Sequence, residues 1–270
     1  MLAVERRLKI LERVAESQNV EVSVLARQFG VSEMTVRRDM QRLERDGFLR
    51  RTYGGATAHQ IRSIEVGFNA RILHHAAEKR LIGSAAAKMI DSVKVLFLGF
   101  GTTAEQLARY LPVRRDLTVI TPSLAIASLL GTRSIDTIIV GGHVRQDELS
   151  CVGPLAIDGV RRYNTDLAVI GAAGISCRRG VSELDDNEAE VIREALDHTE
   201  QVMVISDGSK FGATSLSTVT GISRVNTIVT DVSAPKEELR EIRATGVAVV
   251  VVTSPSSELA TLDNPSRSAP

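Results

Sequence analysis

The sequence predicts an α/β protein of two domains, in which a small helical module with a β wing precedes a larger domain built on a parallel sheet. Two observations predict this architecture. Residues 20–56 hold two amphipathic helical stretches and a strand-like stretch, and seven short apolar runs alternate with helical stretches between residues 93 and 252. A chain of 270 residues with 43% hydrophobic content is long enough for one large core and one small core.

The first amphipathic helix is predicted over residues 22–29. A spacing of i, i+3, i+4 and i+7, typical of a helix buried on one face, is shared by Val22, Leu25, Ala26 and Phe29. Gly30 follows directly, and glycine tolerates the left-handed conformation that a sharp helix end requires. The pattern therefore predicts a short helix that ends in a tight turn.

A second helix is predicted to begin at Ser32, whose hydroxyl can accept a hydrogen bond from a free amide of the first turn. Its apolar side holds Val36, Met40, Leu43 and Gly47. Its other side is predicted to bind DNA through Ser32, Met34, Thr35, Arg37, Arg38, Gln41, Arg42 and Arg45. Arginine suits this role because its planar fork of donors fits guanine edges and phosphate oxygens, and recognition helices read bases mainly from their first turns.

A wing is predicted after this helix. Residues 48–53 are strand-like, Gly54 and Gly55 are predicted to form the turn, and Arg50 and Arg51 are predicted to contact the DNA backbone. The alternative is a solvated helix that happens to be rich in arginine, as most charge runs are. We favour a winged helix-turn-helix, because the turn glycine, the helix cap, the paired helices and the basic wing occur in the expected order.

The segment Thr35 to Ala56, TVRRDMQRLERDGFLRRTYGGA, resembles the N-terminal signature of DeoR-type bacterial transcriptional regulators, and by motif the resemblance extends to about Asp231. The resemblance implies a sequence-specific repressor of a carbohydrate or polyol catabolic operon. It implies double-stranded operator DNA and a phosphorylated sugar or polyol effector as partners, and a homodimer or homotetramer. Two symmetry-related recognition helices would then read two half-sites.

Four segments are predicted along the chain. They are a winged helix-turn-helix domain at 1–57, a linker at 58–75, an effector-binding and oligomerisation domain at 76–252, and a disordered tail at 253–270. The linker lacks clear periodicity, and the tail is rich in proline and serine without an apolar face. A helix is predicted to open the third segment at Ala76, with packing residues Leu81, Ala85, Ala86 and Met89.

The larger domain has seven predicted strands, each a nearly continuous apolar run. The runs are 93–98, 117–121, 137–140, 166–170, 201–206, 227–230 and 247–252. Such runs with helices between them are typical of a mostly parallel sheet covered on both faces. Ligands of these folds bind at the carboxyl ends of the strands, so the effector site is predicted in the loops there.

The loop after the first run is the predicted phosphate site. Gly99, Gly101, Thr102 and Thr103 precede a helix, so backbone amides, hydroxyls and the helix N-terminus can all favour an anion. The two threonines could instead cap the helix. Other strand ends add Thr121, Ser123, Gly141, Gly142 and Lys210, of which the lysine supplies a point charge.

The DeoR-type effector domain resembles ribose-5-phosphate isomerase, and the family resemblance implies roles for several of these residues. It assigns Gly101, Thr102 and Thr103 to a phosphate loop, Thr121 and Ser123 to a second loop, and Lys210 to a Lys-Phe-Gly motif. Glu188 and Arg193 are similar to an acidic and a basic position on the family's next helix. Two positions depart from the family pattern, Pro122 in place of a frequent asparagine and Phe100 in place of a small or polar residue.

A sugar-phosphate isomerase-like enzyme fused to a DNA-binding module is the alternative function. It needs a carboxylate that moves a proton beside a carbonyl, but the central strand is followed by GAAG at residues 171–174. Asp185, Asp186 and Glu188 stand where acidic residues favour a helix N-terminus in any case. A DNA-bending protein, a third class, would not need the glycine and hydroxyl loops. We therefore expect a regulator, not an enzyme.

The amino-acid composition limits which partners and cofactors the protein can be expected to bind. The net charge is zero, but the first 56 residues hold eleven basic and eight acidic residues, which favours contacts from a few arginines over a polybasic grip. Two cysteines and five scattered histidines form no ligand pattern, so neither a metal nor a cofactor is expected. The absence of a signal peptide and of an apolar run of about 20 residues predicts a cytoplasmic protein without membrane contact.

Overall fold

The computed structural model describes residues 6–7, 9–10, 13–14, 19–45, 49–52, 55–57, 71–72, 74–146 and 148–253. The chain divides into two compact units, Met1–Ala76 and Ala77–Pro270. Most of the predicted linker and nearly all of the predicted tail lie outside the described residues. No helix in the part of the chain that the structure describes is long and apolar enough to span a bilayer.

The first unit combines helices with a small antiparallel sheet. Its elements are β1 (Asn19–Glu21), α1 (Val22–Phe29), α2 (Glu33–Arg45), β2 (Arg50–Thr52) and β3 (Gly55–Thr57). The strand order is β1-β3-β2, so β2 and β3 form the predicted wing. Strand β1 has no counterpart in the prediction, because three residues are too few to show an alternating pattern.

One detail of the predicted wing is wrong. Gly55 was expected in the turn, but it belongs to β3, where it pairs with Glu21 of β1. A Cβ atom at this position would lie 2.1 Å from the carbonyl oxygen of Val20. Glycine is needed here because the backbone of β1 passes too close for any side chain.

The core of this unit follows the predicted periodicity. The four spaced residues of α1 are buried, as are Val36, Met40 and Leu43 of α2, whereas Gly47 lies outside the described residues. Gly30 adopts φ 65°, and the amide of Thr35 donates to the Ser32 hydroxyl at 3.2 Å. The predicted left-handed exit and serine cap are therefore confirmed.

All seven predicted strands pair in one sheet of order β15-β14-β12-β9-β4-β5-β6, and every pair is parallel. They are β4 (Val95–Leu98), β5 (Thr118–Thr121), β6 (Asp136–Ile139), β9 (Thr165–Ile170), β12 (Thr199–Ile205), β14 (Thr227–Asp231) and β15 (Ala248–Val252). The chain runs outward from β4 in one direction and from β9 in the other. The strand order therefore reverses between β4 and β9, which is where folds of this kind bind ligands.

Helices cover both faces of the sheet, with one apolar cluster on each. One face packs against α3 (Ala76–Ala87), α4 (Thr102–Tyr110) and α5 (Leu124–Gly131), and the other against α6 (Pro154–Val160), α7 (Asp186–Asp197) and α8 (Lys236–Ala244). Two smaller sheets complete the unit. They are a hairpin of β7 (His143–Arg145) with β8 (Ser150–Val152), and a sheet of β10 (Gly174–Ser176), β11 (Gly180–Glu183) and β13 (Ser217–Thr220).

The buried side of α3 agrees with the predicted one only in part. Ala86 is fully buried, as predicted, and so is Ile82, whereas the predicted Leu81 and Ala85 are only partly buried. Met89, expected in the core, lies beyond the end of the helix and is 41% exposed. The prediction included Leu81 and Ala85, one position before the buried Ile82 and Ala86, because this alanine-rich segment is apolar on more than one side.

Candidate functional site

The side of α2 that was predicted to bind DNA faces solvent. Ser32, Arg37, Arg38, Gln41 and Arg42 are exposed and Thr35 is half-buried. Met34, on the same side, is 63% exposed. The side chains of Arg45, Arg50 and Arg51 lie outside the described residues.

The arginines of α2 differ in their partners. Arg37 pairs with Glu33 at 3.3 Å, one turn earlier, in an exposed ion pair. Arg38 makes neither a hydrogen bond nor an ion pair with its side chain in the structure as described. Its guanidinium is therefore available to a ligand without the loss of an internal contact.

The opposite side of α2 carries a buried ion pair that the sequence did not reveal. Asp39 accepts from Arg6 at 2.6 Å, and both side chains are almost fully buried. Arg6 belongs to a helical stretch near the N-terminus, so the pair ties that stretch to α2. A buried ion pair is strongly destabilising when one partner is removed.

The predicted phosphate loop leads from β4 into α4. Gly101 is the N-cap of α4 at φ 101°, and no side chain caps this helix. Thr102 and Thr103 are instead the first residues of α4 and are largely buried. The threonines therefore do not cap the helix, which was their alternative role. The amides of this turn have no side-chain cap among the described residues.

Thr121 and Ser123, after β5, have structural partners. The Thr121 hydroxyl accepts from the Ser123 amide at 3.1 Å, and the Ser123 hydroxyl caps α5 by accepting from the Ile126 amide at 3.3 Å. Both residues are fully buried. They shape the loop, and neither side chain has surface to offer a ligand in this conformation.

Gly99, Gly141 and Gly142 lie around the same edge, and the backbone requires glycine at the last two. The Gly99 amide donates to the carbonyl of Val169 in β9 at 2.9 Å. Gly141 and Gly142 both have positive φ, and a Cβ on Gly142 would lie 2.7 Å from the carbonyl oxygen of Val152. The left-handed backbone therefore favours glycine at both positions, and Gly142 also lets the loop after β6 pass close to β8.

Lys210 lies in the loop after β12, at the end of a 3₁₀ turn, Gly208–Lys210. Its side chain is half-buried and forms no ion pair or hydrogen bond in the described structure. Strand β9 alone separates β12 from β4, so the lysine and the Gly101 turn lie at the same edge of the sheet. A half-buried cation without a carboxylate partner favours an anionic ligand.

Glu188, on the first turn of α7, is 2% exposed and bonded to the β7–β8 hairpin. One carboxylate oxygen accepts from Ser150 at 2.5 Å, and the other lies 3.1 Å from Arg145. Burial, with the nearby carboxylate of Glu148, raises the pKa of Glu188 to about 7. Arg145 and Ser150 were not predicted from the sequence because they lie 43 and 38 residues before Glu188.

Arg193 has a different environment from Glu188, although both belong to α7. Its guanidinium donates to the Thr218 carbonyl at 2.8 Å and pairs with Asp186 at 3.2 Å. The hydrogen bond from Ser217 and the Arg193 charge lower the pKa of Asp186. Arg193 therefore joins α7 to β13 and has a structural role.

The sheet edge as a whole can bind a small anion. In the described part of the chain, no side chain caps the N-terminus of α4 and none pairs with the lysine after β12, and these two features flank the point where the strand order reverses. The central strand β9 ends in residues 171–174, which contain no ionisable side chain. Among the described residues, no group of three or more His, Cys, Asp or Glu side chains could hold a metal ion.

Comparison with known families and proteins gives consistent matches along the chain. Residues 6–62 match the DeoR-like helix-turn-helix domain, and residues 74–232 match the DeoR C terminal sensor domain. The transcriptional repressor AccR of Agrobacterium fabrum is 35% identical over 84% of this chain and 89% of its own length. The glycerol-3-phosphate regulon repressor of Escherichia coli K12 is 28% identical over 87% of this chain and 93% of its own length.

Among solved structures, ribose 5-phosphate isomerase A from Methanocaldococcus jannaschii matches 51% of this chain and 55% of its own. The TM-score is 0.39 and the sequence identity 17%, so the similarity is distant.

Proposed function

The chain belongs to the DeoR family of transcriptional regulators, and from this premise we propose that it represses a carbohydrate or polyol catabolic operon under control of a phosphorylated sugar. The observation that carries the effector class is the half-buried Lys210, which has no acidic partner in the described structure and shares a sheet edge with the free N-terminus of α4. Lysine and a helix N-terminus both favour phosphate. The glycerol-3-phosphate regulon repressor among its relatives supports the same class.

The DNA-binding part of the proposal rests on α2 and the wing. The exposed residues Arg38, Gln41 and Arg42 enter the major groove, while Arg50 and Arg51 contact phosphates beside it. The protein binds as a homodimer or homotetramer to double-stranded operator DNA with repeated or inverted half-sites. It works in the cytoplasm, where the operator lies.

A gel-shift titration at fixed salt tests this proposal. Full-length protein is titrated into the DNA upstream of its own gene, with unrelated DNA of equal length as competitor. Glucose 6-phosphate, fructose 1-phosphate, ribose 5-phosphate and glycerol 3-phosphate are then added, each beside its unphosphorylated parent. We expect specific binding that at least one phosphorylated compound changes and that no unphosphorylated parent changes.

Lys210→Met tests the anion site within the same assay. The change removes the charge and keeps much of the apolar stem, so operator binding should persist while the response to the active phosphate compound fades. Lys94→Met is the matched control, because Lys94 is an exposed lysine just before β4, at the opposite end of the sheet. Equal effector affinity of the parent and the Lys210→Met variant, measured by calorimetry, would remove the lysine from the site.

Catalysis is the second candidate function, since a carboxyl group with a pKa near 7 can act as a general acid or base. The contacts of Glu188 argue against this role. Both of its oxygens already bind groups of the β7–β8 hairpin, and the side chain is almost inaccessible. We propose that the protein is not an enzyme, so each phosphate compound should be recovered unchanged after incubation with it.

A further inference from the structure

The loop that carries Lys210 is held by a buried aspartate from the neighbouring strand end. Asp231 is the last residue of β14, and β14 pairs with β12, the strand that leads into the Lys210 turn. One carboxylate oxygen of Asp231 accepts from the Gly208 amide at 2.8 Å, and the other accepts from the Ser233 amide at 2.8 Å. Asp231 is 2% exposed, so solvent does not compete for these bonds.

The loop that begins at Gly208 packs tightly against the loop that follows Asp231. A Cβ atom on Gly208 would lie 2.2 Å from the amide nitrogen of Ala234, in the loop that follows Asp231. Glycine therefore allows the first residue of the Lys210 turn to approach the amide groups after β14. The carboxylate of Asp231 then bonds one amide in each loop.

The far end of the turn is held separately. Phe211 follows Lys210, is buried in the core and bridges Ile175 of β10, and the Gly212 amide donates to the Ile175 carbonyl at 2.9 Å. The backbone is therefore held on both sides of Lys210, at Gly208 and at Gly212. Between these two points, the half-buried Lys210 side chain makes no ion pair or hydrogen bond with the described residues. Because the backbone on both sides of the lysine is already fixed, binding of an anion orders only the lysine side chain and not the turn that carries it.

We propose that Asp231 is a positioning residue of the effector site, which fixes the Gly208–Lys210 turn so that the Lys210 ammonium is held at the sheet edge for the phosphate of the ligand. This inference rests on the proposed function, because it requires an anion at Lys210. Asp231 does not touch the ligand. It acts through the lysine.

Asp231→Asn tests the proposal with inorganic phosphate as the probe. The amide group of asparagine has nearly the same shape but only one accepting oxygen, so one of the two backbone amides loses its partner. Phosphate affinity is measured from the thermal stabilisation of the full-length protein as the phosphate concentration rises. We expect Asp231→Asn to weaken phosphate binding about tenfold and to leave operator affinity unchanged.

A double-mutant cycle with Lys210→Met separates positioning from general destabilisation. If Asp231 acts through the lysine, Asp231→Asn should have little further effect on phosphate binding once Lys210 is methionine. Full additivity of the two changes would overturn the proposal, as would an unchanged phosphate affinity of the Asp231→Asn single variant. Asp231→Ser serves the same cycle if the asparagine variant does not fold.

Asp166→Asn is the matched structural control. One carboxylate oxygen of Asp166 accepts from two backbone amides, those of Lys94 at 2.8 Å and Val95 at 3.0 Å, but at the amino ends of β4 and β9. The single amide oxygen of asparagine can still accept from both amides, so this change removes only the charge that strengthens the two bonds. We expect a slightly lower melting temperature with parental phosphate affinity, and an equal loss of phosphate affinity in this control would overturn the proposal. An unchanged affinity in Lys210→Met alone would contradict the proposed function itself, whereas a loss there without one in Asp231→Asn contradicts only the positioning role.

Discussion

The two units of this chain present their proposed functional residues in opposite ways. In the first unit, those on α2 whose side chains the structure describes share one side that is mostly exposed, and the core residues of the same helix lie on its other side. In the second unit they come from loops that follow β4, β5, β6 and β12, and most of them are buried or needed by the backbone. In the first unit, the residues proposed to bind the ligand therefore differ from those that stabilise the fold, whereas in the second unit many of the same residues have both roles.

The difference follows from the kind of ligand each unit binds. A DNA groove accepts a protruding helix, so the residues that contact it can be exposed and can change without harm to the core. A small anion must be surrounded, so the site that we propose for it combines backbone amides with side chains at the end of the sheet. Substitutions can therefore test whether a change at a proposed ligand-binding residue also lowers the stability of its unit.

The largest effect is expected at Asp39, a residue of α2 that lies on the buried side of the helix and supports the fold rather than DNA binding. Asp39→Ala, on the recognition helix itself, leaves Arg6 buried without its partner and should destabilise this unit by about 3 to 5 kcal/mol. Operator binding should be lost with it, while effector binding by the second unit persists. Urea unfolding of the full chain measures the loss. Glu33→Ala, which breaks an exposed pair on the same helix, should cost less than about 1 kcal/mol, and an equal cost for both would contradict the distinction.

The pH dependence of stability tests the second unit. Because burial raises the pKa of Glu188 from 4.5 to about 7, its protonated form is favoured in the folded state. Its contribution to stability is full below pH 4.5 and is lost as the pH rises through about 7. The unfolding free energy of the parent, relative to that of Glu188→Gln, should therefore fall by roughly 3 kcal/mol across this window, as measured by urea unfolding and circular dichroism.

Glu194→Gln provides the control with the opposite sign. Its hydrogen bond with Arg161 lowers the pKa of Glu194, so the contribution of this carboxylate is present at neutral pH and is lost as the pH falls through its lowered pKa. Both glutamates belong to α7. The same trend for both variants would show that the helix, and not the environment of each carboxyl group, sets the pH dependence.

A smaller effect is expected on the exposed side of α2. Arg38→Ala should weaken operator binding by roughly 1 to 3 kcal/mol and leave the unfolding free energy unchanged, because the side chain makes no internal contact in the described structure. Arg27→Ala is the control, since Arg27 is an exposed arginine of α1 outside the predicted contact set. Unchanged affinity of Arg38→Ala in a gel-shift titration at fixed salt would place Arg38 outside the interface.

The wing should give the least specific effect. Replacement of both Arg50 and Arg51 by alanine should weaken operator and random DNA alike and reduce the slope of log affinity against log salt by about 2. The matched control replaces Arg178 and Arg179, two adjacent exposed arginines between β10 and β11. A loss confined to the operator would show that the wing reads bases and not phosphates.

Local patterns of the sequence determined much of this protein. The spacing of Val22 to Phe29, the left-handed Gly30 and the Ser32 cap were all readable, because each depends on neighbours within a few residues. The seven strands were readable for the same reason, as each is a short apolar run, and their bounds in the structure differ from the prediction by two residues at most. The family followed from the motif in α2 and the wing.

Tertiary structure alone decided which of these residues meet. Three pairings join residues that are 23 to 43 positions apart, and no local pattern marks them. They are Arg6 with Asp39, Glu188 with Arg145 and Ser150, and Asp231 with Gly208. Thr121 and Ser123 were correctly placed at a strand end, yet packing buried them and left their hydroxyls to the backbone. Periodicity indicates which side of an element is apolar, but the environment of a polar side chain depends on elements distant in the chain, because burial and charge act through space.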